Sequence, residues 1–383
     1  MIKSKREAVL LSPENITPSS TKFEVIGTMN PGVARLSNGD IVLYVRVIEK
    51  LKKTDDEKYC YAPRFSGEEK FKITIDKFPK SEIKDFSDLD FTFKDNTKRL
   101  TFISHFRRVV LDSSGFKVKS IEQKPSFSGL EWDGELGVED PRITKIKDLY
   151  VMTYVGLSRT GNVSTNLAIS NDSKKWYRRG IIFGHQNKDV TIFPELINHK
   201  YLAFNRPEGN FNFTSPNIWL SFSQDLTYWG ESFALEISQK GKWDSGRVGA
   251  GPPPLKTKHG WLFIYHGVIN RHIRKEKSIS DFLREHFIKE DKEEEFRDIY
   301  CAGALLLDLY NPKKIIAKSE KPLILPIRKY EKGTFENKDV FFPTGLILDK
   351  NGSDVLIFSG GGDVVTTVKK FSLQEIISSL KKV

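Results

Sequence analysis

A recurring pattern of apolar and polar segments divides most of the chain into five similar units. Each unit has a proline near its start, a few apolar residues, a polar turn and a second short apolar segment. The units begin at Asn30, Glu139, Phe193, Gly251 and Phe342. Their turns carry residues that accept tight-turn dihedral angles, and their second segments are rich in β-branched and aromatic residues. Each unit is therefore predicted to be a β-hairpin.

Strand-like segments between the hairpins, such as NLAISNDSKKWY and IWLSFSQDLTYW, also resemble one another. About five four-stranded units in a row predict an all-β fold, namely a single five-bladed β-propeller spanning residues 1–383. The alternative is a two-sheet sandwich, which would not readily give five similar hairpins. The charged segment 271–298 is predicted to be an insertion that is helical from Ser280. Ser372 and Glu375 have the spacing of a capping box and indicate a C-terminal helix.

The hairpins predict that polar residues gather at one end of the channel, which we call the mouth. In an antiparallel hairpin, the start of the first strand lies beside the end of the second. The expected neighbours are Asn30 with Arg46, Asp140 with Tyr154, Phe193 with Arg206, Gly251 with His266, and Phe342 with Asp363. Since the inner hairpins of a propeller all point the same way, these pairs should converge. Polar residues at one end of every repeat are hard to explain by packing, so the mouth is the candidate site.

A carboxylate pair in the segment GVEDPRI is the candidate for acid chemistry. Pro141 is expected to hold Asp140 in an extended conformation. Because adjacent side chains of a strand face opposite sides, Glu139 and Asp140 should not both face the channel. One of them is then the acid and the other is structural.

Three cationic residues, Lys188, Arg206 and Arg247, are predicted to lie at the mouth in successive repeats. They would repel one another without an anionic guest, and arginine suits bidentate oxyanion contacts. Tyr300 could add a hydroxyl donor, so the set predicts a phosphate site. The alternative is salt bridging of the cations with Glu195, Glu208 or Asp244. An inverting hydrolase needs a general base, whereas phosphate is already a nucleophile, so one carboxylate with several cations favours phosphorolysis.

Composition narrows the choice of partners. The chain has 61 Lys and Arg against 50 Asp and Glu, a net charge of +11 that would attract anionic ligands. No basic stripe with interleaved aromatics indicates a nucleic-acid partner. The two cysteines and seven histidines lack metal-ligand spacing, so no metal is expected. No cofactor is expected either, and phosphate would act as a co-substrate. No apolar run suggests a signal peptide or a membrane span, which predicts a cytoplasmic protein, and a homo-oligomer is left open.

These motifs resemble glycoside hydrolase family 130, the mannoside phosphorylases and related β-mannosidases. The resemblance runs through most of the chain in the order NPGVARL, EDPR, FPELI, GPPPL, YCAGALLLDL and FFPTG. It implies a five-bladed propeller and an inverting β-mannoside phosphorylase that forms α-mannose 1-phosphate. The alternatives are an inverting β-mannosidase, with Glu195 or Glu208 as base, and a non-catalytic sugar-binding propeller. The chain departs from the family at Lys188-Asp189, where Arg-Asn is expected, in its GGGD ending and in the insertion.

The resemblance also assigns roles to residues. Asp140 matches the family's general acid, which acts through a hydroxyl of the bound mannose. The candidate sugar-binding residues are Asn30, Arg46, Glu139, Arg142, His266, Phe342 and Asp363. The candidate phosphate-binding residues are Lys188, Arg206, Arg247 and Tyr300.

Overall fold

The protein is an all-β structure, as the sequence predicts. The computed structural model describes residues 1–67, 71–208, 215–238, 241–272, 296–333 and 338–383, and about 57% of the chain is in strands. Within these ranges the single α-helix is α1 (Leu373–Ser378). Its N-cap is Ser372, whose hydroxyl accepts a hydrogen bond from the Glu375 amide, so the C-terminal helix is confirmed.

Short 3-10 turns occupy Pro13–Asn15, Lys80–Glu82 and Lys329–Glu331. The strands are, in chain order, β1 (Arg6–Leu11), β2 (Phe23–Arg35), β3 (Ile41–Leu51), β4 (Tyr59–Phe65), β5 (Ile73–Pro79), β6 (Ile83–Phe86), β7 (Asp90–Phe93), β8 (Lys98–Leu100), β9 (Phe102–Leu111), β10 (Val118–Ile121), β11 (Gly137–Ile146), β12 (Leu149–Ser158), β13 (Asn162–Ser170), β14 (Tyr177–Phe183), β15 (Asn187–Ile192), β16 (Tyr201–Pro207), β17 (Trp219–Ser223), β18 (Trp229–Ala234), β19 (Arg247–Ala250), β20 (Leu255–Thr257), β21 (Gly260–His272), β22 (Phe296–Leu307), β23 (Ile315–Lys318), β24 (Asp339–Leu348), β25 (Asp354–Gly361), β26 (Val365–Ser372) and β27 (Lys381–Lys382).

Most strands belong to antiparallel sheets of similar design. Three four-stranded sheets have the orders β10-β9-β3-β2, β11-β12-β13-β14 and β15-β16-β17-β18. The remaining large sheet has ten strands, because a short parallel pairing of β22 with β24 joins two antiparallel groups. Two small sheets, β4-β5 and β6-β7-β8, complete the strand pairing. Strand pairing alone therefore identifies three separate four-stranded units and does not establish the five units that the sequence predicts.

Apolar clusters fill the spaces between neighbouring sheets. One lies between the first and second sheets around Tyr44 and Met152, and the next lies between the second and third around Val151 and Ile192. Further clusters join the third sheet to β21 and β22, and these two strands to β24 and β25. A fifth cluster packs Phe358 of β25 against Leu43 of the first sheet. The sheets thus contact one another in cyclic order through these apolar clusters.

The turns that follow β13 and β17, whose sequences resemble each other, also share the same hydrogen bonds. After β13, Asp172 Oδ1 accepts from the amides of Lys174 and Lys175 at 2.8 Å, and after β17, Asp225 Oδ1 accepts from those of Thr227 and Tyr228 at 2.9 Å. The hairpin turns also fall where predicted, and each has a residue with positive φ. These residues are Gly39, Lys147, Asn198, Gly260 and Gly352.

Three inner hairpins carry the same one-residue bulge near the mouth. In β2/β3, Met29 pairs with Arg46 and Gly32 pairs with Tyr44, so that the first strand has one extra residue. The hairpins β11/β12 and β15/β16 repeat this shift. Asn30, Asp140 and Asp189 stand at the equivalent positions in the left-handed conformation, with φ of 48°, 48° and 55°. The expectation that Pro141 keeps Asp140 extended was therefore wrong, because the bulge overrides the local preference.

The third and fourth units begin earlier than the sequence pattern suggested. Lys188, not Phe193, pairs with Arg206, and Phe193 is buried against Phe204 with ring centroids 5.0 Å apart. In the fourth unit Gly249, not Gly251, pairs with His266. The prolines misled the assignment, because the third unit has Val190 where the first two have a proline after the bulged residue.

The predicted insertion lies largely outside the described residues, which exclude 273–295. Its two flanks differ from the prediction, since residues 271–272 and 296–298 belong to the paired strands β21 and β22. Cys60 and Cys301 are buried free thiols. Within the described part of the chain, no helix is long and apolar enough to cross a membrane.

Candidate functional site

A cavity of about 390 Å³ opens at the mouth ends of the inner hairpins. The structure brings eleven of the twelve predicted site residues to its wall. They are Asn30, Arg46, Glu139, Asp140, Lys188, Arg206, Arg247, His266, Tyr300, Phe342 and Asp363. The outer wall adds apolar side chains, including Leu89 and Leu100 from the small sheet β6-β7-β8 and its flank.

One side of the cavity is built around the two carboxylates of β11. Arg46 Nη2 lies 2.5 Å from Glu139 Oε1, and Arg46 Nη1 lies 3.1 Å from Asp140 Oδ1. Both carboxylates therefore face the cavity, and the expectation that only one would do so was wrong. The reason is the bulge, which rotates Asp140 to the same side as its neighbour. Burial by itself would lower the pKa of Arg46, but the surrounding carboxylates raise it, so the guanidinium remains charged.

Asp140 is held by one of its two carboxylate oxygens. Asn30 Nδ2 donates to Oδ1 at 2.8 Å, and Arg46 donates to the same oxygen. Among the residues that the structure describes, no hydrogen bond is made to Oδ2. This oxygen is consequently free to contact a bound ligand.

Arg142 is the one predicted site residue that does not line the cavity. It is buried, its Nη1 donates to the Asp140 carbonyl at 2.7 Å, and its Nε donates to the Gly251 carbonyl at 3.1 Å. The regular pairing of β11 with β12 resumes after the bulge, where Arg142 pairs with Thr153, and the Arg142 side chain lies behind the cavity wall. Arg142 fastens the bulge that positions Asp140, and its predicted contact with substrate stays a prediction.

Asp189 is the main site residue that sequence reasoning missed. Its Oδ2 lies 2.6 Å from Arg206 Nη1 and 3.6 Å from His266 Nε2, and its Oδ1 lies 3.5 Å from Arg142 Nη2. Burial would raise the pKa of Asp189, but the charges of Arg206 and its neighbours outweigh it and lower this pKa to about 2. Its bulge position, shared with Asn30 and Asp140, was the signal that could have identified it.

His266 is completely buried beside this ion pair. Burial and the nearby guanidinium groups lower its pKa to about 3, although Asp189 opposes the shift. The neutral ring can accept a hydrogen bond at Nε2 from Arg206 Nη1, 3.2 Å away. Space here is tight, because a Cβ on Gly249 would come within 2.3 Å of the imidazole and 2.4 Å of Asp189 Oδ2. Glycine at 249 therefore permits the cluster.

The remaining cations complete the other side of the cavity. Arg247 donates to the Tyr300 hydroxyl and lies 3.8 Å from Asp298. Lys188 lines the cavity and makes no ion pair within the described ranges. Of the alternative salt-bridge partners, Glu208 does pair with Arg206, whereas Glu195 pairs with Lys256 on the surface.

Several buried polar atoms of the cavity have no hydrogen-bond partner in the described part of the chain. They are Asn30 Oδ1, Arg206 Nε, Arg247 Nε and Glu208 Oε1 among others. Buried polar groups are normally satisfied, so this concentration marks a place for a polar ligand. The described residues hold no group of three or more metal-ligating side chains, and the predicted absence of a metal stays a prediction.

Comparisons with known proteins agree on one family. The family model described as beta-1,4-mannooligosaccharide phosphorylase matches residues 91–382. The chain is 32% identical to the beta-1,2-mannobiose phosphorylase of Listeria innocua, over 98% of this chain and 97% of the relative. It is 32% identical to a 1,2-beta-oligomannan phosphorylase of Thermoanaerobacter sp., over 66% of this chain and 74% of the relative. The solved complex of the Listeria innocua enzyme with beta-1,2-mannobiose superposes with a TM-score of 0.79 and 30% identity, and covers 97% of this chain and 96% of that one.

Proposed function

Because this chain belongs to glycoside hydrolase family 130, we propose that it is an inverting β-mannoside phosphorylase. It cleaves a β-mannosidic bond with inorganic phosphate and releases α-mannose 1-phosphate. The relatives from Listeria innocua and Thermoanaerobacter sp. described above are named for 1,2-linked β-mannosides, which makes β-1,2-mannobiose the first substrate to test. Phosphate is the co-substrate, and no cofactor takes part.

The observation that carries the proposal is the division of one cavity into an acid side and a cationic side. Asp140 presents Oδ2 on the first, and Lys188, Arg206 and Arg247 surround the second. In the proposed reaction the bond between the anomeric carbon and the leaving oxygen breaks, and that oxygen receives the proton of Asp140 through a mannose hydroxyl. A phosphate oxygen attacks from the opposite face, held by charge-assisted contacts that need no base.

We further propose that the five hairpins form the blades of a β-propeller. The support is the cyclic order of the five apolar clusters, the last of which joins β25 to the first sheet. Residues from the mouth ends of all five hairpins also line one cavity. The cytoplasmic location and the oligomeric state stay predictions.

A second candidate function is an inverting β-mannosidase. The observation in its favour is Glu208, a carboxylate on the cationic side of the cavity, where a base that activates water would stand. This scheme replaces phosphate with water and uses the same acid.

The test is activity on β-1,2-mannobiose in phosphate-free buffer and with phosphate, with products identified by NMR. We expect α-mannose 1-phosphate and mannose to form only when phosphate is present. Free mannose released at the same rate in both buffers would identify a hydrolase and reject the phosphorylase. The variant Asp140→Asn in both buffers controls for contaminating activity.

A further inference from the structure

The guanidinium of Arg206 forms ion pairs with two carboxylates. Its Nη1 lies 2.6 Å from Asp189 Oδ2, and its Nη2 lies 2.7 Å from Glu208 Oε1. One positive charge thus faces two negative ones, in a cavity lined by six carboxylates against four cationic side chains. Such a guanidinium is not ready to bind a phosphate dianion, because its outward nitrogens are already occupied.

The two carboxylates differ in how firmly they are held. Asp189 is 2% exposed and is also fixed by Arg142 and His266. Glu208 is 27% exposed, and Arg206 is its one ion-pair partner among the described residues. Neither Asp189 Oδ2 nor Glu208 Oε1 makes a hydrogen bond of proper geometry within the described chain, so the two differ in exposure and in the number of their ion-pair partners. Glu208 is consequently the partner that a ligand can displace.

We propose that Glu208 is a built-in counter-anion that occupies the phosphate-binding side of Arg206 and is displaced when phosphate binds. The inference rests on the proposed function, since it takes phosphate as the ligand of this subsite. Glu208 then sets the affinity for phosphate without touching the sugar. Its negative charge competes with the phosphate oxygens for the same guanidinium donors, and it repels the dianion when both are present.

The direct test is Glu208→Gln, which keeps the size of the side chain and removes its charge. We expect the KM for phosphate to fall about tenfold, which is the lower end of what one charge-assisted contact contributes. The inhibition constant for sulfate, a dianion that cannot react, should fall by the same factor. The KM for the mannoside provides an internal reference and should change little. Asn30 and Arg46, which hold Asp140, make no hydrogen bond or ion pair with Glu208.

Two further variants sharpen the measurement. Glu195→Gln is the matched control, since Glu195 is an ion-paired glutamate outside the cavity, and its KM for phosphate should equal that of the parent protein. Glu208→Asp retains the charge on a shorter side chain and should keep the KM for phosphate closer to the parent value than Glu208→Gln does. Thermal unfolding of each variant verifies folding.

Two results would overturn the inference. The KM for phosphate of Glu208→Gln could remain within twofold of the parent value, or it could rise. Failure of the proposed function itself looks different, because the parent protein would then show no phosphate requirement. In that case, calorimetric titration of parent and Glu208→Gln proteins with sulfate still tests the competition, and equal affinities reject it.

Discussion

The two sides of the cavity share one arrangement, in which a single arginine faces two carboxylates, but the arginine serves a different purpose on each side. On the acid side, one cation, Arg46, is shared by Glu139 and Asp140, and Asn30 donates to Asp140 as well. On the phosphate side, Arg206 is again shared by two carboxylates, but in the proposed function it is the cation that binds phosphate. The first cluster fixes the proposed acid and leaves one of its oxygens without a hydrogen bond. In the second cluster, by our proposal, the two carboxylates lower the affinity of Arg206 for phosphate.

The comparison predicts that the acid side affects the chemical step most strongly. Asp140→Asn retains the hydrogen bond from Asn30 and removes the proton donor, so we expect kcat on β-1,2-mannobiose to fall by about 10²–10⁴-fold. The KM for phosphate should change little. Steady-state kinetics with both substrates varied will measure the two effects separately.

Glu139→Gln is the informative companion, because Glu139 shares Arg46 but has no contact to Asn30. Its loss in kcat should be smaller than that of Asp140→Asn. If Glu139→Gln is the more damaging of the two, the acid has been misassigned between these neighbours.

The sequence sufficed to bring most of the predicted residues to one cavity, because the hairpin pattern fixes which residues share an end. Asn30, Arg46 and Asp140 were placed together from strand direction alone, and the structure joins all three through Asp140 Oδ1. The resemblance to the family added roles that geometry alone would not have given. The class of fold followed from the same repeats, since five similar hairpins leave little room for helices.

The pattern failed where the backbone leaves ordinary strand geometry. Bulges are not visible as an alternation of apolar and polar residues, so the common facing of Glu139 and Asp140 was missed. Asp189 was overlooked because the Phe193-Pro194 dipeptide imitated the start of a unit and shifted the third hairpin by several residues.

On the phosphate side the expected effect is a loss of affinity. Arg206→Ala removes a charge-assisted contact worth about 1.5–3 kcal/mol, which raises the KM for phosphate by about 10- to 150-fold. The KM for the mannoside should change far less, in contrast to variants of Asn30 or Arg46. Arg328→Ala is a suitable control, because Arg328 is a half-exposed residue that forms an ion pair with Glu7 and does not line the cavity. Equal increases in both KM values for Arg206→Ala would show a collapsed cavity instead of a lost phosphate contact.

The smallest effect tests the electrostatics that hold the phosphate side together. Since the pKa of His266 falls from 6.5 to about 3 on folding, the unfolded chain binds more protons between these values, and stability must decrease as pH falls through this window. Over the first pH unit below 6.5 this single group contributes a loss of about 1 kcal/mol in the free energy of unfolding. Asp189, whose pKa is lowered to about 2, loses its contribution to stability only below about pH 4.

His266→Asn should therefore flatten the change in the free energy of unfolding, measured with urea, between pH 6.5 and 5.5, whatever the absolute stability of the variant. His259→Gln, at an exposed turn, should leave that change as it is in the parent protein. Parallel curves for the parent and His266→Asn would mean that His266 is not held neutral, and that Arg206 lacks the acceptor at Nε2 on which the geometry of this side depends.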